Sequence, residues 1–202
     1  MTESRRLQGL QTLRSFGLPT PNWQEVRSVT DIDTLRISVT SRGWTIRTCR
    51  TDGQREVGGF FKNHVEAAEV ASTLRTRSQK FDQGEFYLVY PSWEFDMSFN
   101  VVFDESIFLV EGKRGSQKGI SDGTELPEIA LRLSSTALSR PEVLIGEYTP
   151  AVRSRVSRIL SHLKKVPTER YYTEVAVTTE RQLFFYEFFP VADQVDVGPA
   201  QR

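Results

Sequence analysis

The sequence predicts an α+β fold of helices and largely antiparallel strands, and three observations predict it. Apolar residues recur at helical spacing in three places: Leu7, Leu10 and Leu13; then Val65, Ala68, Ala71 and Leu74; then Val152, Val156, Ile159 and Leu163. Strand-type runs sit either side of short polar turns twice, at 97–103 with 106–110 around Asp104-Glu105, and at 171–177 with 182–188 around Thr-Thr-Glu-Arg. With 202 residues and 23.1 kDa, the chain can build one sizeable core or two small lobes sharing a cleft, but not two unrelated full domains.

Taken in order, residues 4–16 read as a helix, with Ser4 or Thr2 as cap and Gly17, Pro19 and Pro21 as the stop. Residues 23–29 and 36–40 read as short extended segments around a turn or short helix start at 30–33. Trp44-Thr-Ile-Arg-Thr-Cys49 alternates and is rich in β-branched residues, and a charged turn at 50–55 leads to a second strand at Gly58-Gly-Phe-Phe61. Asn63, with Glu66 three residues later, predicts a capped helix to about Arg77. Phe86-Tyr-Leu-Val-Tyr90 is a buried-type strand stopped by Pro91. Residues 127–138 read as helical, and Thr149-Pro150 starts a further helix, with Pro suited to its first turn.

Composition narrows the function classes. The 26 basic and 26 acidic residues cancel, and at pI 6.8 no general field holds nucleic acid or an anionic membrane without a local patch. A single cysteine, Cys49, excludes an internal disulfide and a cysteine-rich zinc site. The start lacks a signal-peptide pattern and no apolar run approaches membrane-spanning length, so a cytoplasmic protein without a membrane partner is expected.

The segment 107–123 carries the strongest chemical signal. An apolar run with Ile107, Leu109 and Glu111 on one face passes into four glycines and the cations Lys113, Arg114 and Lys118. Glycines let backbone N–H groups approach an anion and the cations add full charge, so the segment fits a phosphate-binding loop as well as it fits a solvated hairpin turn. Arg47 lies mid-strand, where a charge needs a partner or a ligand, and reads equally as a phosphate clamp or a rim ion pair. Glu174 and Glu187 sit inside consecutive apolar strands. If they share a face they suit Mg²⁺, which binds through one or two carboxylates plus substrate phosphates; the alternative is that each simply pairs an arginine. His64 and His162 have no ligand-spaced neighbours and read as structural or solvated. Cys49 lacks a local base and reads as a buried thiol.

These positions, in this order, resemble the ATP-grasp superfamily, most closely the nucleotide-binding domain of phosphoenolpyruvate synthase and pyruvate phosphate dikinase. Leu13-Arg-Ser-Phe-Gly-Leu-Pro-Thr-Pro21 is similar to that family's helix-Gly-Leu-Pro-Val-Pro entry. Trp44-Thr-Ile-Arg-Thr-Cys-Arg-Thr-Asp-Gly53 resembles its Val-Arg-Ser-Ser-Ala-Thr-Glu-Asp segment, Gly58-Gly-Phe-Phe61 its mobile loop, and Val110-Glu-Gly-Lys-Arg-Gly-Ser-Gln-Lys-Gly119 its Glu-Ala-x-x-Gly-x-Gly-Glu segment. Tyr172-Thr-Glu-Val-Ala176 and Phe185-Tyr-Glu-Phe-Phe-Pro190 resemble its Asp-Ile-Glu-Trp and Leu-Gln-Ala-Arg-Pro strands. Glu187 departs from the dikinase Gln toward the metal-binding Glu of other ATP-grasp ligases, and Phe189 replaces an Arg.

The resemblance implies an ATP-grasp-like domain at 1–190, with two lobes around an ATP cleft and a boundary near 80–90, followed by a tail at 191–202. It implies ATP bound by Arg47, Glu111, Lys113, Arg114 and Lys118, with its phosphates on Arg47 and Lys113 or Arg114, and Mg²⁺ held by Glu174 and Glu187. Phosphoryl transfer or carboxylate ligation follows, with a protein partner supplying a second substrate site. The same fold in degenerate form would serve as a non-catalytic interaction module. A third class, a nucleotidyltransferase of the ligase or capping type, is raised by Arg50-Thr-Asp-Gly53, but a permanently protonated guanidinium is a poor nucleophile.

Overall fold

Leu7, Leu10 and Leu13 are buried along one side of α1 (Arg5–Ser15), whose first turn is capped by Ser4: its Oγ accepts from the Leu7 N–H at 3.4 Å. The structure is a computed structural model describing residues 4–53, 59–116, 119–121, 123–166 and 169–191. It divides into two units, one holding the chain to Arg14 and Pro19–Glu94, the other Ser15–Leu18 and the chain from Phe95. The division falls after 94, beyond the expected 80–90 window, because a central strand of the first unit, β4 (Glu85–Pro91), occupies that window.

The first unit is a four-stranded antiparallel sheet. Its members are β1 (Gln24–Val26), β2 (Trp44–Arg50), β3 (Phe61–Val65) and β4, in the order β1-β4-β2-β3. Between β1 and β2 lies α2 (Val29–Thr34), capped by Ser28, whose Oγ accepts from Asp31 N–H at 3.3 Å. One face of the sheet packs Trp44, Ile46, Tyr87, Val89 and Val26 against Ile32 of α2 and against Val70 and Leu74 of α3 (Val70–Arg75). Residues 36–40 form no strand. The Gln24 side chain takes the strand's place, donating to Arg36 O at 3.0 Å and accepting from Arg36 N–H at 2.9 Å.

The helix predicted from Asn63 starts later. Asn63 lies in β3, where its Oδ1 accepts from the Thr45 hydroxyl at 2.8 Å, and a 3-10 turn at Ala67–Glu69 leads into α3. Pairing Trp44 with Val65 and Ile46 with Lys62 gives the edge of β2 a ladder partner, so these residues are strand where local spacing alone reads as helix. Of the strand predicted at 58–61, Gly58 is outside the described residues, and the strand proper begins at Phe61.

The second unit is a six-stranded antiparallel sheet in the order β10-β9-β5-β6-β7-β8. It contains β5 (Phe95–Phe103), β6 (Ile107–Arg114), β7 (Ile129–Ser134), β8 (Glu142–Ile145), β9 (Tyr171–Thr178) and β10 (Leu183–Pro190), with α4 (Pro150–Leu163). Both predicted hairpins are present. The Asp104 carboxylate shapes the first turn by accepting from Ser106 N–H at 2.8 Å and Ile107 N–H at 2.9 Å. Thr149 caps α4 by accepting from Val152 N–H at 3.3 Å, and Val156, Ile159, Leu160 and Leu163 are buried.

The helix predicted at 127–138 is instead β7. Ile129, Leu131 and Leu133 are buried while Arg132 and Ser134 are exposed, a period-2 pattern, and Leu131 and Leu133 sit opposite Val110 and Phe108 of β6. Gly112 is required on that packed face. A Cβ there would lie 2.6 Å from the Phe99 ring and 3.0 Å from Ile129, so the aromatic lies across bare backbone. Such overpacking would destabilise by about 1–3 kcal/mol.

Candidate functional site

On β6, Phe108, Val110 and Gly112 are buried, while Ile107, Leu109, Glu111 and Lys113 alternate onto the opposite, more open face. The ladder carries that face across neighbouring strands. Glu111 lies opposite Asn100 of β5, and Asn100 lies opposite Glu174 of β9, so a row of polar side chains crosses three adjacent strands. At about 4.8 Å per strand the outer two are roughly 10 Å apart at the backbone.

The row ends in a β-bulge. Phe185 pairs Val175 and Phe188 pairs Thr173, which leaves Tyr186 and Glu187 together facing the single residue Glu174. The Glu187 charge is near enough to act on Tyr172. Burial, then the carboxylate of Glu174 and more weakly that of Glu187, push the Tyr172 phenol well above its ordinary pKa. Tyr172 thus stays a protonated donor: its Oη donates to Glu174 Oε1 at 3.1 Å, and its ring stacks on Phe189 at 4.8 Å between centroids.

Glu174 is only 8% exposed. The Ser121 hydroxyl, from the glycine-rich segment, donates to Asn100 Oδ1 at 3.2 Å, so that segment folds back onto the row. Glu111 is different: burial alone raises its carboxyl pKa, and no hydrogen bond or ion pair engages it among the described residues.

Lys113 stands two residues along the same face and forms an ion pair with Glu125. Arg114 does not join them. Strand alternation turns it to the other side of β6, where its side chain is 86% exposed and lies 3.7 Å from Glu128. Both cations belong to the strand and not to the loop where the sequence placed them, because the ladder with β5 runs through Met97–Arg114. Lys118 lies outside the described residues.

Arg47 belongs to the first unit. It is half-buried on β2, opposite Leu88 and Phe61, on the face turned away from the Trp44–Ile46 core, with its guanidinium 5.6 Å from the Phe61 ring centroid. A depression of about 430 Å³ in that unit, bordered by Phe60, Lys62, Thr73 and Arg77, contains none of the predicted site residues. Arg50 pairs with Asp52 at 2.6 Å, so its motif is a stapled turn. Cys49 is fully buried. His64 lies on β3, its Nδ1 2.8 Å from Arg42 O, and His162 packs edge-on to Phe185 at 5.8 Å.

Sequence reading passed over Asn100, Ser121 and Tyr172. The available signal was a lone amide inside the apolar run of β5, and an aromatic hydroxyl two residues from Glu174, hence on its face. Among the described residues, no group of three or more His, Cys, Asp or Glu side chains forms a metal site by itself, and no helix is long and apolar enough to cross a membrane.

No protein-family model matches the sequence, and no curated protein matches it significantly. Solved structures do match its fold. N5-carboxyaminoimidazole synthetase from Staphylococcus aureus, complexed with ADP, superposes with a TM-score of 0.51 at 11% identity over 95% of this chain and 44% of that one. L-amino acid ligase from Bacillus licheniformis gives 0.54 at 10% identity over 95% and 43%. Macrocyclase MdnC from Microcystis aeruginosa MRC, bound with precursor peptide MdnA, gives 0.52 at 12% identity over 93% and 53%. The chain therefore spans about half the length of these enzymes or less. The likeness to these structures is one of fold: two antiparallel sheets with flanking helices, the ATP-grasp fold.

Proposed function

We propose that this chain binds ATP with Mg²⁺ and supports ATP-dependent activation of a carboxylate for ligation. The observation that carries the reading is the Asn100–Glu174–Glu187 end of the polar row, set on the second sheet in an ATP-grasp fold. The donor set fits the ion. Glu174 and Glu187 meet at the bulge and both charges act on Tyr172, and Mg²⁺ needs only one or two carboxylates when nucleotide phosphates complete its shell. Bound there, the ion would neutralise phosphate charge during transfer.

The protein's own residues hold and orient. Tyr172 fixes the Glu174 carboxylate, Ser121 fixes the Asn100 amide, and Lys113 and Arg47 are the cations assigned to phosphate oxygens. Ligation is preferred to dikinase-type phosphotransfer because the similar structures are a synthetase, a ligase and a macrocyclase, and because Glu187 stands where the dikinases carry Gln. The second substrate, and a protein partner that would supply its site, belong to this reading as well.

The test is a thermal titration. A ligand specific for the folded state adds about 2.7 kcal/mol at a hundredfold excess over Kd, which for a chain of this length raises Tm by roughly 5–10 °C. ATP with MgCl₂ is expected to give that rise and ATP with EDTA a smaller one. A melting curve that stays flat across millimolar Mg-ATP overturns the proposal.

A further inference from the structure

Ion pairs join some of the charged side chains among the described residues. Arg27 pairs Glu25, Arg75 pairs Asp33, Lys113 pairs Glu125 and Arg155 pairs Asp96. The outer face of α4 carries a cluster of cations, most of them outside such pairs. Its sequence and the turn after it, 150–166, contain Arg153, Arg155, Arg158, Lys164 and Lys165 and no acid, and among the described residues only Arg155 of these forms an ion pair.

Arg153, Arg158, Lys164 and Lys165 are exposed, as is Arg181 in the adjacent β9–β10 turn. No carboxylate lies within ion-pair distance of any of the five among the described residues, although Glu147, Glu169 and Glu180 are near in sequence. Their field is felt locally, since the charges of Lys165 and Arg158 add to burial in lowering the His162 pKa. Two of the five are held in place: Arg158 donates to Arg181 O at 3.0 Å, and Arg153 lies 5.4 Å from the Tyr148 ring centroid. The exposed hydroxyls of Ser154, Ser157 and Ser161 fill the spaces between them. At about 1.5 Å per residue the row from Arg153 to Lys165 is roughly 18 Å long.

We propose that this face of α4, with Arg181 beside it, docks an acidic segment of a partner protein. Cations in a row, separated by hydroxyl donors, match carboxylates on one face of a helix or extended peptide of about that length. A nucleic acid fits less well: residues 95–202 carry 13 basic and 15 acidic side chains, so the patch sits on a unit with no general positive field, and α4 offers no aromatic for base stacking. A bilayer fits less well again, because the apolar side of α4 is already buried.

The experiment uses fluorescence polarisation with the full chain and a labelled peptide of about twelve residues, half of them glutamate, which spans about 18 Å as a helix. Arg153→Glu/Arg158→Glu is expected to weaken peptide binding about tenfold or more, while Arg36→Glu/Arg140→Glu, with the same change in net charge, leaves it within about twofold. Arg153→Gln/Arg158→Gln provides the same comparison should the reversal impair folding. No binding by the parent, equal weakening by the control pair, or displacement of the peptide by a lower concentration of an oligouridylate of similar length would each overturn the assignment.

Discussion

Replacing Glu174 by Gln removes one negative charge from the bulge while keeping shape and an acceptor oxygen for Tyr172, whose hydroxyl now donates to Oε1 at 3.1 Å. A unit charge about 4 Å from another contributes roughly 4 kcal/mol at an effective dielectric of about 20, and desolvation offsets much of that for a side chain that is 8% exposed. The net loss expected in Mg-ATP affinity is about 1.4–2.8 kcal/mol, a tenfold to hundredfold rise in Kd. Folding should not suffer. The neutral amide retains an acceptor for the Tyr172 hydroxyl, so Tm without ligand is expected within about 2–4 °C of the parent. Isothermal titration with ATP, in MgCl₂ and again in EDTA, separates the parts: the Glu174→Gln penalty belongs only to the Mg²⁺ arm. A variant that binds Mg-ATP within about twofold of the parent, or loses affinity equally in EDTA, would refute the metal role of this row.

Two further outcomes are expected. Arg47→Lys keeps charge but removes the planar fork, so it should weaken ATP binding measurably by calorimetry, and Arg47→Ala should be worse by about another 1–2 kcal/mol; unchanged binding in Arg47→Ala beside complete loss in Lys113→Ala would sink the assignment. For His162, burial, then Lys165 and Arg158, lowers the folded-state pKa below the ordinary 6.5, so between these values the unfolded chain binds more protons. Stability contributed by the neutral ring is therefore full above about pH 6.5 and is lost as pH falls toward the folded pKa. Urea melts between about pH 5 and 7.5 should show that decline, and it should be shallower in His162→Gln; an identical slope would remove His162 as its source.

Legibility followed the locality of the signal. α1 and α4 were readable because their leucine and valine spacing, Ser4, Thr149 and Pro150 all lie within the element itself. β7 was not, because Ile129, Ala130, Leu131 and Leu133 fit either period, and the decision lies with Phe108 and Val110 some 20 residues away. Asn63 illustrates the same competition: its capping signal was real, but the unpaired edge of β2 claimed it as a strand residue. Of the candidate site, the positions of Glu111, Glu174 and Glu187 within strands were visible. Their alignment was not, since which residues face one another across strands depends on register, and a bulge shifts register with no local mark in the sequence. Arg114 failed as a site residue for a local reason, simple alternation after Lys113.

The extra residue at Tyr186-Glu187 has a consequence for how this chain tolerates insertions and deletions. Strand β10 carries one residue more than its partner over this stretch, so removing either member of the pair would let Phe188 and Phe189 slide into an unbroken ladder with β9. The hairpin would then be more regular, yet deletion of Glu187 discards a carboxylate outright, and deletion of Tyr186 draws Glu187 into an ordinary paired position opposite Glu174. A change that tidies the sheet is thus expected to blunt the site, which makes the irregularity a feature that engineering for stability should leave alone.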